Sequence, residues 1–128
     1  MRASAGQVGL WAPVAVYAAL IFAGSSISFP ARIGPDFSDK LLHVVVYAGL
    51  GVVLARALSR GWTRPITARI AFHTALIATL YGASDEFHQA FVPNRDIEVL
   101  DLMADAAGAA LAALALWAWD IIRGRNGL

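Results

Sequence analysis

Asp39, His43 and Tyr47 recur at i, i+4 and i+8, the spacing that puts three side chains on one face of a helix. Tyr81, Asp85 and Gln89 repeat it, with Glu86 and His88 beside them, and Asp101, Asp105 and Gly108 fall at i, i+4 and i+7. Carboxylates beside imidazoles support three kinds of chemistry. The first is proton exchange, with His43 or Glu86 as the exchanging group. The second is a metal centre of histidine and carboxylate ligands, suited to zinc, iron or manganese. The third is a network of polar contacts that only holds helices together. No H-x-x-E-H or H-E-x-x-H spacing is present, so no metal ligand set and no cofactor is expected. Ser25, Ser26 and Ser28 offer hydroxyl nucleophiles, although serines at the end of an apolar run more often pack or cap. The lone His73 reads as a hydrogen-bonded structural residue. Cysteine is absent, which removes disulfides, thiolate metal sites and thiol nucleophiles together.

The elements that carry these residues must sit in lipid. Of 128 residues, 59% are hydrophobic and only 15% charged, against about 25% charged in ordinary globular chains. Residues 3–31, 41–55, 70–84 and 106–119 carry no charge at all. A chain this short leaves much of its surface exposed and could not hide so much apolar area from water. A secreted enzyme, a nucleic-acid binder and a soluble regulator are all excluded on that ground. A membrane-crossing helix needs about 20 mostly apolar residues, and the chain has four such stretches. They run over about 10–29, ending at Pro30; 41–58; 66–87, starting after Arg64-Pro65; and 99–122. The first is long for a signal peptide and lacks a clean small-x-small site after it. The expected fold is all-α, an integral membrane four-helix bundle, with residues 1–128 forming one transmembrane domain.

Lysine and arginine gather on the cytoplasmic side of short loops. A cytoplasmic N-terminus puts Arg2, Arg56, Arg60, Arg64, Arg69, Arg123 and Arg125 inside and Arg32, Lys40 and Arg95 outside, with Trp11, Trp62, Trp117 and Trp119 at the inner level. Asp36, Asp39, Asp85, Glu86, Asp96, Glu98, Asp101 and Asp105 then lie in the outer half, and Asp120 alone inside. An aspartate at the centre of a membrane helix costs roughly 2.5–3.5 kcal/mol, so such groups face the bundle interior and pair. The three polar stripes therefore converge on one pocket open to the outer surface, walled by spans two, three and four. In it Lys40, His43, His88 and Arg95 face Asp39, Asp85, Glu86, Asp101 and Asp105. Asp39 or Ser38 is the expected N-cap of span two. Ala104, Gly108 and Ala112 form a ridge of small residues for close packing, as do Gly49 and Gly51.

The segments DKLLHVVVYAGLG (39–51) and YGASDEFHQAFVPNRDIEVLDLMADAAGAALA (81–112) resemble the VanZ-like family of small bacterial membrane proteins. That family's pattern is matched by Asp39, Lys40, His43 and Tyr47 in the first block. In the second it is matched by Asp85, Glu86, Gln89, Pro93, Arg95, Asp101 and Gly108. Asp105 stands where the family usually has asparagine. The resemblance implies a multi-pass plasma-membrane protein of the bacterial cell envelope. It also carries the family's association with reduced susceptibility to the glycopeptide antibiotic teicoplanin.

Three functions follow as expectations. In the leading one, the outer pocket binds or modifies a lipid-linked or glycopeptide-like ligand. Arg95, whose planar fork suits carboxylate or phosphate, grips it, and Asp39, Lys40, Tyr47, Asp85, Gln89, Asp101 and Asp105 surround it. The second is a membrane enzyme acting on a lipid-linked phosphate or ester, with His43 and Glu86 as catalytic acid and base. The third is a structural bundle partner. Partners are the bilayer, an outer-leaflet lipid or cell-wall precursor, and a second copy of the chain; no nucleic acid is expected. Four short spans without repeated halves argue against a transporter.

Overall fold

The computed structural model describes the backbone of residues 2–27 and 37–125, and side chains over 6–27 and 39–125. Among these there are four helices and no strand: α1 (Arg2–Ser25), α2 (Phe37–Leu58), α3 (Ala68–Gln89) and α4 (Val99–Ile122). Each corresponds to one expected span, with ends moved by a few residues. The first stops at Ser25 rather than 29, and the second starts at Phe37 rather than 41. Asp39 therefore lies inside the first turn of α2, where its negative charge complements the positive end of the helix dipole, and is not the cap. Ser28, Arg32 and Asp36 fall outside the described residues, as does the side chain of Ser38. α3 opens on Thr67, whose hydroxyl accepts from the Ile70 amide at 3.2 Å.

Among the described residues three helices are long and apolar enough to cross a membrane: α1 over Gly6–Ser25, α2 over Asp39–Leu58, and α4 over Val99–Ile122. α3 is not one of them, so three of the four expected spans have the length and apolarity to cross a membrane and the third does not. The reason lies in its sequence, where Arg69, His73, Thr74, Asp85, Glu86, His88 and Gln89 dilute the apolar residues. Thr74, Asp85, Glu86 and Gln89 are buried against other helices, so the polarity of α3 is directed inward.

Helices consecutive in the chain run in opposite directions, so α2 and α4 lie parallel, with the arginines at one end and the acids at the other. At the arginine-rich end, Arg56 donates to the Gly9 carbonyl (3.3 Å) and Arg125 to the Trp62 carbonyl (2.8 Å). The buried Asp120 carboxylate accepts from the Ile66 amide at 2.7 Å and pairs with Arg125 at 3.4 Å. It thereby ties the end of α4 to the loop entering α3.

The most extensive interface joins α2 and α4. Gly108 makes it: a Cβ there would drive into the backbone carbonyl of Val44, so only glycine allows the two helices to approach this closely. Gly51 lies against Ala109 and Ala112 in the same seam, as the small-residue ridge predicts. Tyr47, Leu50, Leu54, Ala78 and Ala109 form the core above it. α1 lies at the side, attached by two phenolic hydroxyls. Tyr17 donates to the Val46 carbonyl (2.6 Å), and Tyr81 to the Ala18 carbonyl (2.5 Å). Outward faces carry Leu20, Leu42, Val45, Phe72, Leu80 and Leu111, each at least half exposed, which is the surface a lipid solvent accepts.

Candidate functional site

At the acid-rich end the four helices build two adjoining features. One is an ionic cluster between α2, α3 and α4; the other is a cavity between α1, α2 and α3.

Lys40 anchors the cluster. Its ammonium donates to Asp101 in the first turn of α4 and to Glu98 just before that helix, and lies 3.5 Å from Asp39. One turn deeper, His43 meets Asp105, Nδ1 to Oδ1, at 2.7 Å, and its Nε2 is 3.7 Å from Asp101. The imidazole thus bridges the two carboxylates of the α4 stripe, because an i, i+4 pair on α4 stacks beside one face of α2. Glu86 enters from α3. Its Oε2 accepts from the Glu98 amide at 3.2 Å, while Oε1 is buried with no hydrogen-bond partner among the described residues. The same holds for Asp105 Oδ2 and for the hydroxyl of Tyr47, which is 2% exposed. Gly82 leaves room for this group, since a Cβ there would sit 3.0 Å from Asp105 Oδ2 and 3.2 Å from the Tyr47 ring.

The cavity is about 440 Å³, within the usual size of small-ligand sites. Leu20, Ile21, Ile27, Leu42 and Val46 line it with apolar side chains, and Ser25, Asp39, His43, Tyr47, Asp85, Gln89 and Arg95 contribute polar ones. Asp85 accepts from Ser25 Oγ at 2.5 Å and from Gln89 at 3.4 Å. Ser25 has a single hydroxyl hydrogen, and a charged carboxylate is its strongest acceptor, so this serine ties α1 to α3. Arg95 donates from Nε to the Ile27 carbonyl (3.3 Å) and from Nη2 to the Gly24 carbonyl (3.4 Å), closing the C-terminal end of α1.

The expected pocket is therefore corrected in two respects. Its walls are α1, α2 and α3, whereas Asp101, Asp105, Glu86 and Lys40 lie behind His43 in the cluster and do not line it. α3 causes the division, because consecutive residues on a helix diverge by about 100°: Asp85 and Gln89 turn towards α1, and Glu86 towards α4. His88 belongs to neither feature. Its ring stacks on Phe22 and its Nε2 meets Ser26 Oγ at 2.9 Å, at an exposed position. Two participants are newly placed by the structure. Glu98 joins Lys40's clamp, for which its place just before α4 is the only sequence signal. Tyr17 walls the cavity from α1, and nothing in its spacing marks it.

No curated protein and no solved structure matches the chain. A family model described as VanZ/LLP1 does match, over residues 5–122. That stretch runs from α1 to the end of α4 and takes in both the cluster and the cavity. With three helices apolar enough to cross a bilayer, the chain is a membrane protein that belongs to the VanZ/LLP1 family.

Proposed function

We propose that the cavity between α1, α2 and α3 receives the head of an amphiphile on the outer side of a bacterial plasma membrane. A lipid-linked phosphate or a glycopeptide-like molecule is the class of ligand. The carrying observation is the lining itself, in which an apolar wall from α1 and α2 meets Asp39, His43, Asp85, Gln89 and Arg95 in one space of about 440 Å³. In this reading all four helices cross the bilayer. α3 does so shielded by α2 and α4, its ends level with theirs, and the arginine-rich end faces the cytoplasm. Arg95 supplies the positive charge facing an anionic head, Gln89 supplies a neutral hydrogen-bonding group, Tyr47 lines the wall, and Asp39 and Asp85 accept hydroxyl or amide donors. Lys40, Asp101 and Asp105 act from behind, holding His43 in orientation.

The test is binding of a fluorescent polyprenyl phosphate to the protein in nanodiscs of neutral lipid. Saturable binding weakened about tenfold or more by Arg95→Ala or Gln89→Ala supports the reading, since a charge-assisted contact contributes about 1.5–3 kcal/mol. Binding indifferent to both variants overturns it. For the teicoplanin association, the same Arg95→Ala comparison in a susceptible host reads out directly as a change in growth inhibition.

The geometry of His43 favours one second reading. An imidazole that lines a cavity and has its other face oriented by a carboxylate at 2.7 Å is arranged as a general base. Acting on a lipid-linked phosphate or ester, it would take a proton from water, with Glu86 exchanging protons behind it. His43→Ala then abolishes release of phosphate or alcohol while binding persists. Loss of binding and of cellular effect together, with no turnover at any stage, sinks the enzyme.

A further inference from the structure

Behind His43 lies a group that neither the cavity nor the lysine clamp accounts for. His43, Glu86 and Asp105 each offer a ligand atom, and these atoms all lie within 4.8 Å of one another. The residues come from three different helices, so the fold itself assembles them. Both acids are buried, Glu86 at 3% and Asp105 at 1% exposure, and each keeps one buried oxygen with no hydrogen-bond partner among the described residues. A carboxylate oxygen stripped of water and left without a donor is costly. Two of them within reach of one imidazole mark a place for a positive centre.

The neighbouring trio of Asp39, His43 and Asp101 differs in this respect. Those acids already share the Lys40 ammonium, which also takes up Glu98. Among the described residues Lys40 makes no contact with Glu86 or Asp105, and the cationic group beside the deeper pair is His43 itself.

We infer that His43, Glu86 and Asp105 bind one divalent first-row metal cation. Imidazole with two carboxylates is a mixed nitrogen–oxygen donor set, suited to zinc or manganese rather than to soft copper(I). Ligands held at about 2.0–2.2 Å from one ion lie no more than about 4.4 Å apart, so small side-chain movements close the trio. The bond from His43 Nδ1 to Asp105 Oδ1 (2.7 Å) is the approach that such a closure uses. Three protein ligands leave a coordination position for water or another oxygen donor. The Tyr47 hydroxyl, buried with no hydrogen-bond partner among the described residues and packed with Asp105 against Gly82, is a neutral group of that kind.

The assignment goes beyond the amphiphile reading and is measured without any lipid ligand. The protein is purified in detergent, stripped with a chelator, reloaded with Zn²⁺ or Mn²⁺, desalted, and its metal content counted by mass spectrometry. About one ion per chain is expected. Glu86→Gln and Asp105→Asn, which preserve side-chain shape, should weaken loading by at least about tenfold, while Asp39→Asn leaves it unchanged. Manganese-loaded protein should show nitrogen hyperfine coupling that disappears in His43→Gln. Three results overturn the inference: fewer than about one ion in ten chains after loading, a proton shared by Glu86 and Asp105 with no metal effect on melting, or loading lost in Asp39→Asn but kept in Glu86→Gln. A protein that loads metal yet binds no polyprenyl phosphate overturns the amphiphile reading alone.

Discussion

Lys40 is the residue on which most of the ionic cluster converges. Its side chain is 19% exposed and Asp101 only 7%, so the pair is neither a surface contact nor a fully desolvated one. Removing one partner of a buried pair costs about 3–5 kcal/mol, whereas exposed pairs contribute about 0–1. Lys40→Met should therefore lower stability by an intermediate amount, roughly 1–3 kcal/mol. Lys40→Arg should restore most of it, as read by thermal unfolding in detergent. This clamp was only half legible in sequence. The i, i+4 pairs Asp39–His43 and Asp101–Asp105 announce two polar faces, but Asp39-Lys40 alone reads as an ordinary interfacial helix start. Nothing local says that Lys40 turns to α4 or that His88 turns away to Phe22. Those outcomes depend on the rotation of each helix about its axis, which is decided by packing against its neighbours.

Among the elements, the α2–α4 pair fixes the geometry, and Gly108 fixes the pair. Gly108→Ala forces its new methyl against the Val44 carbonyl, an overpacking that typically costs about 1–3 kcal/mol. Unfolding in detergent should show that loss. Gly6→Ala, where an added methyl meets nothing within 4 Å, should be neutral or slightly stabilising because alanine favours helix. The ridge Ala104–Gly108–Ala112 was readable because helices in lipid approach through small residues. All four helices were readable from runs free of charge. What composition hid was the distinct status of α3: its polar residues lie on two diverging faces, so a one-dimensional hydropathy profile averages them into a weak span. For the same reason, one pocket expected from three stripes became a cluster and a cavity.

For the whole molecule, the separation of charge between the two ends is the main property. Arg56, Arg60, Arg64, Arg69, Arg123 and Arg125 lie at the end where Asp120 joins α4 to the 59–67 loop, and the remaining described acids gather at the other. The absence of cysteine makes single-cysteine labelling unambiguous. On whole cells an impermeant maleimide should label Asp96→Cys at once and Thr63→Cys only after lysis, both positions being exposed. The reverse pattern would invert the proposed orientation and put the cavity in the cytoplasm. A further property follows from the way α1 is held. It forms one entire side of the cavity, yet only 6% of its apolar stretch is buried, and it is held to α2 and α3 by a few polar bonds, those of Tyr17, Tyr81 and Ser25 among them. On the proposed amphiphile reading, so lightly held a side wall would serve as a lateral doorway into the bilayer. A guest arriving through it would be recruited at its two-dimensional density in the leaflet, and its solubility in bulk water would cease to matter.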